Sequence, residues 1–172
     1  MKIIIEPETK NDYKQITRLL VAAFNGDAEA KLVEKLRKTP AYVSNLSLVA
    51  KYENRIIGHV LLYPIKINNG KEKCNSLSLA PISVIPTFQR KGIGRRLIKK
   101  GLEEAQKLGF KSVIVVGHSK YYPRFGFKKA SNYGISAPFD VPDEAFFVIE
   151  LEKNGLKNCA GTVEYPREFM EV

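Results

Sequence analysis

The sequence predicts an α/β (α+β) fold, a mixed sheet of six to seven strands with helices on both faces. Three observations predict it. Three β-type runs follow one another between residues 46 and 85, separated by two short polar turns, which is the pattern of an antiparallel meander. A basic glycine turn and an amphipathic helix come next, over residues 89–108. A wholly apolar run, Ser112–Val116, then follows. Strand, helix and continuous apolar strand in that order predict parallel pairing through a right-handed crossover.

Each element has its own signal. Residues 2–6 read as a short edge strand. Thr9 with Asp12 forms a capping pattern, and Ile16, Leu19, Leu20 and Ala23 repeat at helical spacing as far as about Phe24. Asn25-Gly26 breaks that helix. Asp27 caps a second one carrying Ala28, Leu32, Val33 and Leu36, which stops before Pro40. Residues 46–53 and 55–67 are strands around a tight turn at Asn54-Arg55, and Asn68-Asn69-Gly70 leads to a third strand over 74–85. Pro81 cannot donate to a ladder, so it marks a bulge or a place where pairing opens. The next helix carries an apolar stripe of Leu97, Ile98, Gly101, Leu102, Ala105 and Leu108 and ends at Gly109. Residues 145–152 and Gly161–Glu164 are the last strands, joined by a turn at Asn154-Gly155.

Length and composition bound the function. A chain of 172 residues fits one domain, 1–172, and 44% hydrophobic with 27% charged residues is ordinary for a globular chain. No apolar run approaches the length of a membrane span. The opening MKIIIEPETKND turns polar after three isoleucines and does not read as a signal peptide. Cys74 and Cys159 are isolated, without metal-ligand spacing, so reduced thiols in a cytoplasmic protein and no metal are expected. The net charge of +10 is local: residues 90–129 hold twelve Lys and Arg against Glu103 and Glu104, and the remainder is neutral. Such a field draws an anionic ligand, and its sign alone does not separate a phosphate-bearing small molecule from nucleic acid.

The turn itself reads as an anion site. Gln89, Arg90, Lys91, Gly92, Ile93 and Gly94 lead from a strand into a helix whose first N–H groups have no intrahelical partner, and Arg95 and Arg96 add charge. It is no dinucleotide fingerprint: the third glycine is missing, no acid follows the next strand, and an antiparallel meander precedes it. GxxxxGK[ST] is also absent.

Gln89-x-x-Gly92-x-Gly94 between strand and helix resembles the acetyl-CoA motif of the GNAT-type N-acetyltransferases. Tyr122-Pro123-Arg124-Phe125-Gly126-Phe127 resembles the tyrosine-x-x-x-glycine-phenylalanine segment of the same superfamily. The resemblance extends over essentially the whole chain, and the closing segment is similar to a bacterial and archaeal branch of predicted N-acetyltransferases. It implies a splayed parallel strand pair and a transferase that moves an acetyl group from acetyl-CoA to a primary amine of an unknown small molecule or peptide. It implies turn amides from Lys91 to Arg95 on the pyrophosphate, with Arg90 and Arg96 beside them and Gln89 shaping the turn. It implies backbone of Ile82, Ser83 and Val84 along the pantetheine. It also implies Tyr122 as general acid toward the thiolate, a phenol being protonated at neutral pH with a pKa of about 10.

The glutamate that many relatives carry on the strand before the motif is missing from Leu77-Ser78-Leu79-Ala80-Pro81-Ile82-Ser83. His118 is the nearest titratable candidate for a base, and a strand-end role in hydrogen bonding the backbone is its other reading; His59, in a central strand, reads as structural. Residues 11–38 and the loop 130–143 would shape the acceptor pocket. A homodimer stays open, and nucleic acid is the less favoured partner because the few aromatics near the cations belong to the family motif. The alternative within the fold is a non-catalytic acyl-CoA-binding or regulatory module.

Overall fold

The computed structural model describes residues 1–171. Nine strands and three α-helices form in the order β1 (Ile4–Pro7), α1 (Tyr13–Phe24), α2 (Ala28–Arg37), β2 (Ser47–Tyr52), β3 (Arg55–Asn68), β4 (Lys73–Val84), α3 (Ile93–Lys107), β5 (Ser112–Val116), β6 (Lys128–Lys129), β7 (Ile135–Ser136), β8 (Phe146–Glu150) and β9 (Gly161–Glu164). The hydrogen-bonded strand order is β1-β2-β3-β4-β5-β8-β6, and β9 pairs with β3 and β7. The class is as expected, but the sheet has nine strands rather than six or seven. The added ones are β6 and β7, of two residues each, too short for any period to register.

The chain divides into two compact units. The first comprises Met1–Tyr63, Ala80–Glu104 and the segment from Arg167; the second comprises Pro64–Leu79 and Ala105–Pro166.

In the first unit β1 pairs antiparallel with β2, from Ile4 opposite Lys51 to Pro7 opposite Leu48. β2 pairs with β3 through a turn at Glu53 and Asn54, both at positive φ (50° and 65°), with a bulge at Ala50/Lys51. Two adjacent left-handed residues make the hairpin turn that suits strand twist, so the turn sits one residue earlier than the sequence suggests. The Thr9–Asp12 capping pattern forms, Asp12 Oδ2 accepting the Thr9 N–H at 2.8 Å. Asp27 precedes α2 as expected, but its carboxylate makes no cap bond and instead pairs with Lys31 at 3.1 Å. Ile93, Leu97 and Ile98 bury one side of the part of α3 that lies in this unit; in the second unit Ala105 is buried too, while Leu108, expected on the same stripe, lies past the helix end and is 45% exposed.

The first unit also buries a charged cluster. Arg37 of α2 forks onto Glu8 with Nε–Oε1 at 3.0 Å and Nη2–Oε2 at 2.7 Å, and its guanidinium lies 3.8 Å from the centre of the Tyr13 ring. The Tyr42 hydroxyl donates to the same carboxylate. His59 Nε2 lies 2.9 Å from Ser47 Oγ and 4.0 Å from Glu8 Oε2. Burial works against the Glu8 carboxylate, but the bonds from Arg37 and Tyr42 and the Arg37 charge outweigh it and hold its pKa below the ordinary value. Burial pushes His59 down to about 4, with the Glu8 charge opposing and the Arg37 charge reinforcing. His59 is therefore neutral at physiological pH, which fits its structural reading.

In the second unit β5 runs parallel to β4 through Leu77 opposite Val113 and Ser78 opposite Ile114, and antiparallel to β8 from Ser112–Glu150 to Val116–Phe146. The β4–β5 ladder is thus only two pairs long, in a β4 that runs on through Pro81 to Val84. Ile65, Ile67, Ile114, Ala130, Ile135, Phe146, Val148, Leu156 and Val163 form the core. Cys74 and Cys159, 85 residues apart, are joined as a disulfide with Cα atoms 5.7 Å apart. This corrects the expectation of two reduced thiols, and the argument from free thiols to a cytoplasmic location falls away with it. Isolated spacing carried no signal because the partners meet only through tertiary packing.

Two outcomes follow. His59 and Glu8 both have folded-state pKa values below their unfolded ones, so the unfolded chain binds more protons and stability falls on acidification. His59 alone should remove on the order of 3 kcal/mol as pH drops from about 6.5 to about 4. Urea titrations across that window should show the decline in the wild type and a flatter profile in His59→Leu. Closing a loop of 85 residues constrains the unfolded chain by about 4.6 kcal/mol on entropic grounds. Reduction should lower the melting temperature by several degrees, and thiol labelling of the denatured, unreduced chain should find no free cysteine.

Candidate functional site

The glycine turn lies wholly in the first unit. A single 3-10 turn, Pro86–Phe88, closes β4: Phe88 N–H donates to Ile85 C=O at 2.9 Å and Gln89 N–H to Pro86 C=O at 3.3 Å. The Gln89 side chain then reaches back, Nε2 donating to Val84 C=O at 3.0 Å. Arg90 sits at φ 62°, a left-handed conformation uncommon outside glycine, and Gly92 at φ 80°. A Cβ on Gly92 would meet nothing within 4 Å, so glycine serves there for its backbone conformation and leaves the approach open. The first helical bond of α3 runs from Arg96 N–H to Gly92 C=O at 3.2 Å. The N–H groups of Ile93, Gly94 and Arg95 stand ahead of that bond, in the first turn where no intrahelical acceptor exists. Ile93 is 2% exposed and anchors the turn from below.

The cations divide by role. Arg90, Lys91 and Arg95 are exposed around the turn. Lys91 Nζ stands 5.9 Å from the Phe88 ring centre, and Phe88 packs on Tyr52 with centroids 5.7 Å apart. Arg96 is tied down, its Nη2 donating to Ile3 C=O at 3.0 Å, so it braces α3 on the residue just before β1. On β4, Ile82 and Val84 are half-buried and Ser83 is buried. Residues 82–84 and 89–96 therefore come together in one unit, as one strand end and the turn that follows it.

Tyr122 and His118 belong to the second unit. Gly117 N–H donates to Ala145 C=O at 2.9 Å, and the His118 C=O accepts Tyr121 N–H at 3.1 Å, which folds the chain into the 3-10 turn Tyr122–Phe125. Gly126 follows at φ 98°. Tyr122 is 7% exposed, and its ring meets Tyr121 and Phe127 edge-on at 5.2 and 5.7 Å between centroids and Phe147 at 6.3 Å. Burial, with a smaller contribution from Tyr121, raises its pKa to about 12, so the phenol keeps its proton throughout the physiological range. Of the tyrosine pair, Tyr122 is the buried member and Tyr121 the half-buried one. His118 is exposed. No group of three or more His, Cys, Asp or Glu among the described residues is placed to hold a metal ion.

One residue escaped the sequence reading. A Cβ on Gly117 would lie 2.2 Å from Cε2 of the Tyr122 ring, so only glycine lets that phenol lie against the strand end as it does. A lone glycine after an apolar strand looks like punctuation, and its closeness to a ring five residues on is visible only in three dimensions.

Residues 5–130 match the family model described as the acetyltransferase (GNAT) domain. The chain is 37% identical over 136 residues to an uncharacterised N-acetyltransferase of Escherichia coli, YjhQ, covering 78% of this chain and 75% of that one. It is 32% identical over 168 residues to a second, YhbS, covering 97% and 98%. Among solved structures, the CoA complex of E. coli YhbS superposes with a TM-score of 0.92 at 30% identity, over 99% of this chain and 93% of that one. An acetyltransferase of Brucella melitensis in complex with acetyl-CoA superposes with a TM-score of 0.80 at 29% identity, over 98% of each.

Gly117→Ala should displace the Tyr122 ring. Tyrosine fluorescence and near-ultraviolet circular dichroism of the variant should change while far-ultraviolet dichroism stays as in the wild type; an unchanged aromatic spectrum would refute the packing role.

Proposed function

The chain belongs to the GNAT acetyltransferase family, and from that premise we propose that it transfers an acetyl group from acetyl-CoA to a primary amine, with Tyr122 as general acid. The observation that carries the reading is the turn over residues 89–94, with Gly92 at φ 80° open to approach and the first turn of α3 behind it. The amides of Lys91, Gly92, Ile93, Gly94 and Arg95 suit a pyrophosphate, and Arg90 and Lys91 supply exposed positive charge beside them. Two relatives carrying the same fold are known in complex with CoA and with acetyl-CoA, which supports the same occupant here.

Acetyl-CoA, when bound, supplies an acyl group activated as a thioester. Residues 82–84 offer backbone groups beyond the end of the β4–β5 ladder, along which an extended pantetheine arm adds as a strand. Gln89 holds the Val84 carbonyl and so fixes the angle at which strand passes into turn. Tyr122 holds a proton on its hydroxyl, in an aromatic surround that keeps it there until a departing thiolate accepts it. His118, on the exposed turn four residues earlier, is the candidate acceptor of the amine proton.

Acetyl-CoA at a hundredfold excess over its dissociation constant should stabilise the protein by about 2.7 kcal/mol, several degrees in melting temperature. Gly92→Val should abolish that shift. In a thiol-release assay over a panel of amines, Tyr122→Phe should lower kcat on the order of a hundredfold or more and leave acetyl-CoA affinity within about twofold. Full turnover in Tyr122→Phe removes the general-acid role, and binding without turnover for any amine favours the acyl-CoA-binding module.

A further inference from the structure

The second unit holds a cavity of about 640 Å³ that acetyl transfer does not use. Three stretches wall it: the start of β4 with Cys74 and Asn75, the α3–β5 connection from Leu108 to Lys111, and the connection between β8 and β9 as far as Cys159. All three belong to the second unit. The Cys74–Cys159 bond is therefore part of a cavity wall as well as a cross-link in the chain.

Charge in the cavity is one-sided. Lys111 and Lys157 are the charged residues of its lining, and no acid joins them among the described residues. Lys111 Nζ meets Glu152 Oε1 only at 4.0 Å, with both side chains more than half exposed, so that pair is weak and screened. The Glu150 carboxylate is turned to the backbone, accepting the Leu156 N–H at 3.0 Å. A third lysine, Lys66, donates to Asn75 Oδ1 at the wall. Cations on a concave surface raise the local concentration of a small anion.

The two cysteines differ in access. Cys159 is 8% exposed, whereas Cys74 is half-buried, with its Sγ 3.7 Å from the Asn158 carbonyl oxygen. Disulfide exchange begins when a thiolate attacks one sulfur, and its rate depends on access as well as on thiolate fraction. Nearby lysines favour the thiolate over the thiol.

We propose that this cavity is a thiol–disulfide exchange site for a small anionic thiol, which attacks Cys74 Sγ while Lys111 and Lys157 hold its charged tail. A bond forms between the incoming sulfur and Cys74. The Cys74–Cys159 bond breaks, its electron pair leaves on Cys159 Sγ, and that sulfur takes up the proton the incoming thiol gave up. A second thiol attacking the mixed disulfide releases a small disulfide and leaves both cysteines reduced, so the thiol itself is the reductant. The cross-link between positions 85 apart thereby answers to the charge of the surrounding thiols as well as to their reducing power. Two kinds of thiol carry the required charge, CoA with its phosphates and a peptide thiol with its carboxylates. The inference stands independently of the transferase reading.

Three thiols on one two-carbon skeleton provide the test: 2-mercaptoethanesulfonate, 2-mercaptoethanol and 2-aminoethanethiol. Opening of the bond in the native protein is followed by acid quench, alkylation and peptide mass spectrometry. At low salt the sulfonate should react about tenfold faster per thiolate than the amine. Lys111→Gln with Lys157→Gln should cut that preference to about twofold, while Lys120→Gln with Lys128→Gln, which removes equal charge elsewhere in the unit, should leave it unchanged. The first adduct should sit on Cys74, with the alkyl group on Cys159. CoA and glutathione in the same assay identify the source, the faster per thiolate being the better fit; neither exceeding 2-mercaptoethanol overturns the site. Equal rates for the three two-carbon thiols overturn it as well, as does a first adduct on Cys159 or a preference that survives loss of Lys111 and Lys157. A protein whose melting temperature ignores acetyl-CoA but which keeps the charge preference loses the transferase reading and retains this one.

Discussion

The buried pairing of Glu8 with Arg37 constrains the first unit more than any other interaction. A carboxylate whose side chain is 1% exposed must be matched by charge and hydrogen bonds, and breaking such a pair by removing one partner costs about 3–5 kcal/mol. The match draws on the residue after β1, the last turn of α2 and the Tyr42 segment, and His59 of β3 lies against it. Four segments distant in sequence are thereby held at one point. The arrangement also holds the ring of His59 through Nε2, 2.9 Å from Ser47 Oγ.

Charge is used in two opposite ways. Within the first unit a carboxylate and a guanidinium are buried and neutralise each other. Around residues 90–95 the cations are exposed, where their field suits an anion. Arg96 shows why position matters more than residue type: although adjacent to Arg95, it bonds the carbonyl of Ile3, just before β1, and ties that segment to α3. In the second unit, the aromatic surround of Tyr122 contributes the absence of charge. Burial raises the phenol pKa because the phenolate has lost its water, so the phenol stays protonated.

The second unit joins parts of the long strands β3 and β4 to several short ones. β6 and β7 have two residues each, and β9 four. Such pieces have little intrinsic preference for a strand and are held by what they pack on. The Cys74–Cys159 bond pins the start of β4 to the segment before β9, where the short strands leave least to hold the chain.

Much was legible in the chain alone. Helical spacing located α1, α2 and α3 within a residue or two, polar turns located the meander, and Gln89, Gly92 and Gly94 followed by Tyr122, Gly126 and Phe127 identified the family. These signals depend on residues close in sequence, where spacing and turn chemistry act directly. Tertiary structure alone decided the disulfide, the pairing of β9 with β3, the fit of Gly117 against the Tyr122 ring and the cluster of Glu8, Arg37, Tyr42 and His59. Each joins positions whose contact depends on the completed fold. A lone cysteine, glycine or histidine carries no periodicity to announce its partner, because burial and pairing are properties of the site it reaches and not of the residues beside it.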